Sequence, residues 1–155
     1  MGKSSVIRHI GGFPKGFAHS KSLGKFQIRK LRFSNQKDED VGLLGYCSLQ
    51  EMDIDPDEFV KLVAKSPNCP DKIIVPLQKV SSCKCTSKAV DYIRTFQKQG
   101  WTITASVLLE DNLQNNMKQC RTYPRCVYVH SSLGGSPVYP TNVVAQFVRK
   151  HFNLV

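Results

Sequence analysis

Residues 72–109, KIIVPLQKVSSCKCTSKAVDYIRTFQKQGWTITASVLL, contain the pattern that decides the fold class. They begin with a short apolar run, and residues 87–99 then place apolar side chains at helical spacing before Gly100. Over 101–109 apolar residues alternate with mostly polar ones, which is typical of a strand with one buried face. The stretch therefore predicts a strand, a helix and a strand. Pro76 cannot donate to a sheet, so the first strand should be an edge strand or end there.

Two more strands are predicted on the N-terminal side of this unit. The first covers 25–33, and its apolar residues shift phase, which a bulge near Arg29 and Lys30 would explain. A turn at 35–40 then leads to the second strand at 41–49.

A helix is predicted between these strands and the central unit. Asp55 can act as its N-cap, Pro56 suits the first helical position, and Glu58 follows the cap by three residues as in a capping box. Residues 66–67 are Ser-Pro and should end the helix, because a proline disfavours helical conformation in the residue before it.

Three elements are predicted after residue 109. They are a short helix with Leu113 and Met117, a strand at 126–130, and a last helix that Thr141 caps. One stripe of the last helix is expected to face the core, and it consists of Val144, Phe147, Val148 and His151.

Together these elements predict an α/β (α+β) protein built as a single two-layer sandwich. Its mixed sheet would have about five strands, with about four helices mainly on one face. Residues 1–24 contain five glycines and no sustained apolar period, which is typical of a flexible segment. The predicted organisation is a flexible basic arm at 1–24 and a single α/β domain at 25–155.

Length and composition indicate an intracellular globular protein. The 155 residues suit one domain, and no apolar run approaches the roughly 20 residues that span a bilayer. The first 20 residues lack the apolar core of a secretory signal peptide. The six cysteines are therefore expected to be reduced thiols, and the protein is expected to be cytoplasmic or nuclear rather than secreted.

The net charge of +10 is unevenly distributed along the chain. Residues 1–37 contain nine Lys or Arg and no acid, whereas residues 38–58 contain eight acids and no Lys or Arg. Residues 59–155 contain thirteen basic and four acidic residues. This pattern differs from that of a uniformly basic protein, and it directs attention to the N-terminal segment.

The N-terminal segment has the features of a nucleic-acid contact. Basic residues spaced along an acid-free, flexible segment suit phosphate groups, and Phe13 and Phe17 between them could stack on bases. The predicted nucleic-acid-binding residues are Lys3, Arg8, Lys15, Lys21, Lys25, Arg29, Lys30 and Arg32. A solubilising tail, a membrane-surface segment and an import segment are the alternatives.

Two groups of residues resemble metal sites, but a structural role explains each of them better. Asp53, Asp55 and Asp57 alternate as calcium ligands do, but the glycine and glutamate that an EF-hand loop needs are missing, and helix capping accounts for the carboxylates. Zinc could be bound by Cys83, Cys85, Cys120, Cys126 and His130. Their spacing differs from the usual paired knuckles, and Cys126 and His130 would lie roughly 13 Å apart along a strand, too far for one metal.

No motif in the sequence indicates catalysis. A nucleophile elbow, paired metal-binding histidines and a dinucleotide fingerprint are all missing. Gly134 and Gly135 lie in a loop that could hold a phosphate, but Pro137 and Pro140 separate them from the next helix start. The sequence therefore predicts no catalytic residues, no bound metal and no cofactor. That the protein is an enzyme is only a third hypothesis.

The sequence favours a small basic non-enzymatic protein that binds RNA or another nucleic acid through its N-terminal arm. The alternative is a structural or interaction protein, matrix-like or an assembly subunit, that self-associates as a homo-oligomer. Its arm would then contact an anionic membrane or a nucleoprotein, and the acidic block at 38–58 could pair with the arm of a neighbouring copy.

Overall fold

The chain folds into a mixed α/β structure in which five strands and three α-helices are described. The residues described by the computed structural model are 6–7, 9–10, 27–35, 37–43, 48–66, 69–79, 85–110, 121–130 and 142–155. The predicted helix after residue 109 and the loop at 131–140 lie outside these residues. The α/β class is confirmed, whereas a two-layer sandwich is not.

The first sheet has three strands in the order β1-β2-β3. Strands β1 (Gln27–Arg32) and β2 (Asp38–Leu43) are antiparallel, and β3 (Lys72–Ile74) lies parallel to β2 on its other side. Pairing between β1 and β2 is continuous, from Gln27 opposite Leu43 to Arg32 opposite Asp38. The bulge predicted near Arg29 and Lys30 is therefore wrong.

The turn between β1 and β2 is tighter than predicted. Phe33 N–H donates to the Lys37 carbonyl at 2.9 Å, and the Asn35 side chain accepts from Lys37 N–H at 3.1 Å. An asparagine side chain can close such a turn by taking the place of a backbone carbonyl. As a result β2 begins at Asp38 instead of residue 41.

A second sheet consists of two parallel strands, β4 (Ser106–Glu110) and β5 (Cys126–His130). The single sheet predicted from the sequence is therefore divided, and within the described residues β3 and β4 belong to different sheets. The position of Pro76 gives a physical reason, because β3 ends at Ile74 and proline cannot extend its ladder. Residues 101–105, predicted as part of the strand, pair with no described strand.

The three α-helices lie close to where the sequence predicts them. Helix α1 (Pro56–Lys65) begins at the predicted cap, since the Asp55 side chain accepts from Glu58 N–H at 2.8 Å. Helix α2 (Ala89–Lys98) is followed by Gly100 at φ +81°, a left-handed conformation that glycine adopts without strain. Helix α3 (Asn142–His151) ends in three basic residues.

Two clusters of buried apolar side chains form the core. The first core cluster joins both sheets and α3 through Val6, Ile7, Ile10, Leu31, Val41, Leu43, Val129, Val144, Val148 and Leu154. The second core cluster joins α1 and α2 through Leu49, Ile54, Phe59, Cys85, Tyr92 and Phe96. Each cluster has a different set of partly buried residues around it.

The N-terminal segment contributes to the first core cluster. Val6, Ile7 and Ile10 are helical and at most 5% exposed, although the sequence predicts them within a flexible arm. These three apolar side chains lie on one helical face and pack against the other residues of the first core cluster. The rest of 1–24, apart from His9, lies outside the described residues.

The stripe predicted for α3 is correct in part. Val144 and Val148 are buried at 0% and 3% exposure, whereas Phe147 is 51% exposed and His151 is half-buried. Phe147 is therefore a surface residue, and the prediction that it faces the core is wrong.

Replacing Asp55 with alanine is expected to lower the free energy of unfolding by about 1 kcal/mol, because the hydrogen bond to Glu58 N–H is lost. Asp55→Asn is the matched control, since asparagine caps helices about as well. Urea denaturation of both variants measures the difference. Equal losses for alanine and asparagine would show that charge, and not capping, is the contribution of this residue.

Tyr92 is expected to make stability depend on pH in the alkaline range. Its side chain is fully buried, its hydroxyl donates to the Ile54 carbonyl, and the Cys85 sulfur lies 3.4 Å away. Burial, followed by the contact with Cys85, raises the pKa of the Tyr92 phenol. The folded state therefore keeps the phenol proton at pH values where the unfolded chain has released it.

Stability from this group is complete below about pH 10, the ordinary pKa of tyrosine, and falls above it by up to about 1.4 kcal/mol per pH unit. Tyr92→Phe should remove this contribution to the slope while lowering stability at neutral pH, because the Ile54 carbonyl loses the hydrogen bond from the phenol and keeps only the weak one from the Cys85 thiol. Urea titrations from pH 8 to 11 compare the two proteins. Parallel pH curves would contradict the assignment.

Candidate nucleic-acid interface

The residues predicted to bind nucleic acid are only partly described. Lys3, Arg8, Lys15, Lys21 and Lys25 lie outside the described residues. The backbone alone places two others, with Arg29 opposite Val41 and Lys30 opposite Asp40 in the sheet.

Arg32 is the one predicted residue whose side chain is described. Its Nε donates to Asp38 Oδ1 at 3.0 Å, and both side chains are more than half exposed. Such a surface pair contributes little to stability, about 0–1 kcal/mol. It also neutralises the charge of Arg32, so this residue adds little to a positive surface.

A contact between the two ends of the chain brings the predicted arm to α3. Arg149 Nη1 donates to the Ile10 carbonyl at 3.1 Å, and its Nη2 donates to the Val155 carbonyl. The basic N-terminal segment is therefore attached at the last turn of α3. Because Arg149 is engaged with backbone oxygens, its role there is structural.

One hydrogen bond joins two basic segments of the chain. Arg121 and Arg125 belong to the turn before β5, and the other cations end α3. His151 Nε2 lies 2.9 Å from the Arg125 carbonyl, and since a carbonyl can only accept, this nitrogen carries the proton. We call this group the basic corner, and it comprises Arg121, Arg125, Arg149, Lys150 and His151.

The helix dipole explains only part of this arrangement. Cations are favourable in the last turn of a helix, where the backbone carbonyls carry a partial negative charge, so Lys150 and His151 need no ligand to account for them. That explanation does not extend to Arg121 and Arg125, which are exposed and lie outside the helix. Arg125 also has a φ of +45°, uncommon for a residue with a side chain.

No described carboxylate neutralises the basic corner. The ion pairs within the described residues are Arg32–Asp38 and Lys72–Glu39, and both lie at the first sheet. The sequence gives a reason, because Asp111 is the last acidic residue and the 44 residues after it contain five Lys or Arg. When 59–155 is counted as one block, the absence of acidic residues after Asp111 is not visible.

Aromatic side chains border the basic corner. The rings of His151 and Phe152 lie 6.0 Å apart, and both residues are half-buried. Tyr123, between Arg121 and Arg125 in the sequence, is also half-buried. Cations together with partly accessible rings are what a surface needs to hold phosphates and stack on unpaired bases.

The cysteines and carboxylates do not form a metal site in the described part of the chain. No three side chains of His, Cys, Asp or Glu come together there in a way that could hold an ion. Cys83 and Cys120 lie outside the described residues, and Asp55 is used as a helix cap. Burial and the nearby Asp71 raise the pKa of the Cys69 thiol, which makes it a weak ligand and nucleophile at neutral pH.

The helices and three comparisons with known proteins bear on what kind of protein this is. Within the described ranges, none of the helices combines the length and the apolar character needed to cross a bilayer. The chain matches no protein-family model, and searches of curated proteins and of solved structures likewise gave no match. The basic corner and the segment attached to it are the features of this chain whose chemistry indicates a ligand.

Proposed function

We propose that this is a small, basic, non-enzymatic protein that binds single-stranded RNA, or another nucleic acid, mainly through phosphate contacts. The observation that carries the proposal is the basic corner, where the hydrogen bond between His151 and the Arg125 carbonyl joins two basic segments. Its Arg121, Arg125 and Lys150 are exposed, and no described carboxylate pairs with them. Arginine and lysine at such a surface release counterions from a polyanion, which favours binding in a salt-dependent way.

The position of Ile10 extends this surface toward the N terminus. Its carbonyl accepts from Arg149, so the basic segment that follows Ile10 starts beside the basic corner. Residues 11–37 contain seven Lys or Arg and no acid. Contacts from the segment and from the corner can therefore act on one strand of nucleic acid, and such a protein would work in the cytoplasm or the nucleus.

RNA is favoured over double-stranded DNA because of the rings near the corner. Half-buried Tyr123, His151 and Phe152 can stack on the splayed bases of a single strand, whereas bases within a duplex are already stacked. Sequence preference should be slight, since the cations contact phosphates and not base edges.

A second candidate is a structural or interaction protein that meets an anionic membrane. Phe147, 51% exposed, and Val143, 40% exposed, lie one turn apart on α3 beside Lys150. Apolar side chains next to cations suit the surface of an anionic bilayer. The apolar patch formed by Val143 and Phe147 is small, so membrane binding is our second hypothesis.

Light scattering after size-exclusion chromatography of the full chain distinguishes RNA binding from membrane binding. The protein is run alone, with a short single-stranded RNA, and with vesicles containing phosphatidylserine. We expect a complex with RNA that dissociates as salt is raised. A protein that ignores RNA but is retained by vesicles would contradict the proposal and favour the second candidate, and an oligomer indifferent to both would favour an assembly subunit.

A further inference from the structure

A large cleft separates the two sheets. Its volume is about 1010 Å³, at the upper end of the range for pockets that hold ligands. Residues 72–77 and residues 101–109 both line it, and we call these two segments its walls. Ile74, Val107 and Leu109 pack on the first core cluster, while Val75, Leu77 and Ile103 pack on the second, so the cleft runs from one cluster to the other.

Strand edges lie along part of both walls. Strand β3 lines the cleft over its whole length, and β4 lines it from Ser106 to Leu109. Side chains of a strand alternate between two faces, so an uninterrupted run of lining residues within a strand indicates that its edge faces the cavity. β3 is the last strand of its sheet, and β4 pairs only with β5 within the described residues.

Strand edges carry unpaired backbone N–H and C=O groups, which attract another strand unless a protein covers them. The apolar side chains along these edges are also incompletely covered. Half-buried residues on the two walls are Ile73, Ile74, Val75, Leu77, Ile103, Ala105, Val107 and Leu109.

We propose that this cleft binds an extended peptide segment of a protein partner by strand addition to the edge of β3 or β4. An extended backbone is the occupant that satisfies rows of donors and acceptors while its side chains meet apolar walls. A lipid chain would leave the backbone groups unpaired, and a nucleic acid would place phosphates against apolar walls and near Asp71. The proposal goes beyond the RNA-binding function, although Arg125 and His151 of the basic corner also line the cleft.

Charge defines one end of the peptide. Arg125 and His151 line the cleft near the start of β4, where Ser106 N–H donates to the Arg125 carbonyl at 3.3 Å. An acidic side chain or a terminal carboxylate would be favoured there. Lys72 and Lys79 also line the cleft, and Lys72 is already paired with Glu39. The expected ligand is thus an extended segment with alternating β-branched residues and an acidic end.

The probe is a labelled, acetylated peptide of alternating Val and Thr residues, slightly longer than β4 and ending in glutamates. Its control has the same side chains with alternate backbone nitrogens methylated, which removes hydrogen-bond donors only. Fluorescence anisotropy with the full chain should show binding of the first peptide and roughly tenfold or weaker binding of the second, since two or more hydrogen bonds are lost. No binding, or equal binding of both peptides, would overturn the proposal.

A variant locates the site. Ala105→Arg places a long side chain in the cleft and should abolish peptide binding, whereas Gln97→Arg adds the same charge on the exposed face of α2 and should not. If Ala105→Arg fails to fold, hydrogen exchange of the unmodified protein decides. The peptide should protect backbone amides of β3 or β4 from exchange. Protection confined to other segments would overturn strand addition. Displacement of the peptide by oleate without any amide protection would overturn it too.

Discussion

Replacing Phe59 with alanine is expected to lower the free energy of unfolding by about 3–5 kcal/mol. The side chain is 1% exposed at the centre of the second core cluster. Its ring lies 5.6 Å from the ring of Phe96 and 6.3 Å from that of Trp101, in tilted and edge-on arrangements. The truncation removes these contacts and leaves a cavity, a large loss beside the 5–15 kcal/mol that typically holds a domain folded.

Phe147→Ala is the matched control, because it removes the same atoms from a side chain that is 51% exposed. We expect a change within about 0.5 kcal/mol. Urea denaturation followed by circular dichroism measures both variants. If both cost the same, the second core cluster does not stabilise the fold in the way its burial indicates.

Local signals in the sequence predict the helices well. The start of α1 depends on Asp55, Pro56 and Glu58, which lie within four residues, and the end of α2 depends on Gly100. In these cases the groups that decide the structure are neighbours along the chain. Capping and backbone preference can therefore be read without knowing the tertiary fold.

Pairing between strands could not be predicted in the same way. The alternation over 101–109 correctly indicates a strand from Ser106 onward, but a period of two does not say which strand lies beside it. Only residues from Ser106 onward pair, and their partner is β5 and not β3. The burial of Val6, Ile7 and Ile10 was missed for a related reason, since so short an apolar run gives no periodic signal.

The sequence predicts the positive charge of the candidate site, but it does not predict which residues lie together there. The count of basic residues predicts a polyanionic partner, but it directs the prediction to the N-terminal segment alone. Arg125 and His151 are 26 residues apart in sequence, and the hydrogen bond that joins them follows from tertiary structure. The segment free of acids after Asp111 was the available sequence signal for this region.

Reversing three charges at the basic corner is expected to weaken RNA binding by about 100-fold or more near physiological salt, since three phosphate contacts are lost and three repulsions are added. The variant is Arg121→Glu, Arg125→Glu and Lys150→Glu, at exposed positions. Arg149 is left unchanged because it donates to backbone carbonyls. Anisotropy with labelled single-stranded RNA measures the affinity.

The control separates the position of the charges from their number. Lys61→Glu, Lys65→Glu and Lys98→Glu lie on the exposed faces of α1 and α2 and also lower the net charge from +10 to +4. We expect this control to weaken RNA binding several-fold at most, through the long-range field alone. Equal loss in both variants would mean that net charge, and not the basic corner, governs binding.

The dependence of RNA affinity on salt tests most directly whether the basic corner is the contact surface. The comparison uses Arg121→Gln, Arg125→Gln and Lys150→Gln, with Lys61→Gln, Lys65→Gln and Lys98→Gln as the control. Each phosphate contact to a single strand contributes about 0.7 to the slope of log affinity against log salt, so the corner variant should lose about 2 in slope. The control should keep the slope of the unmodified protein. Identical slopes for the corner variant and the unmodified protein would contradict the account.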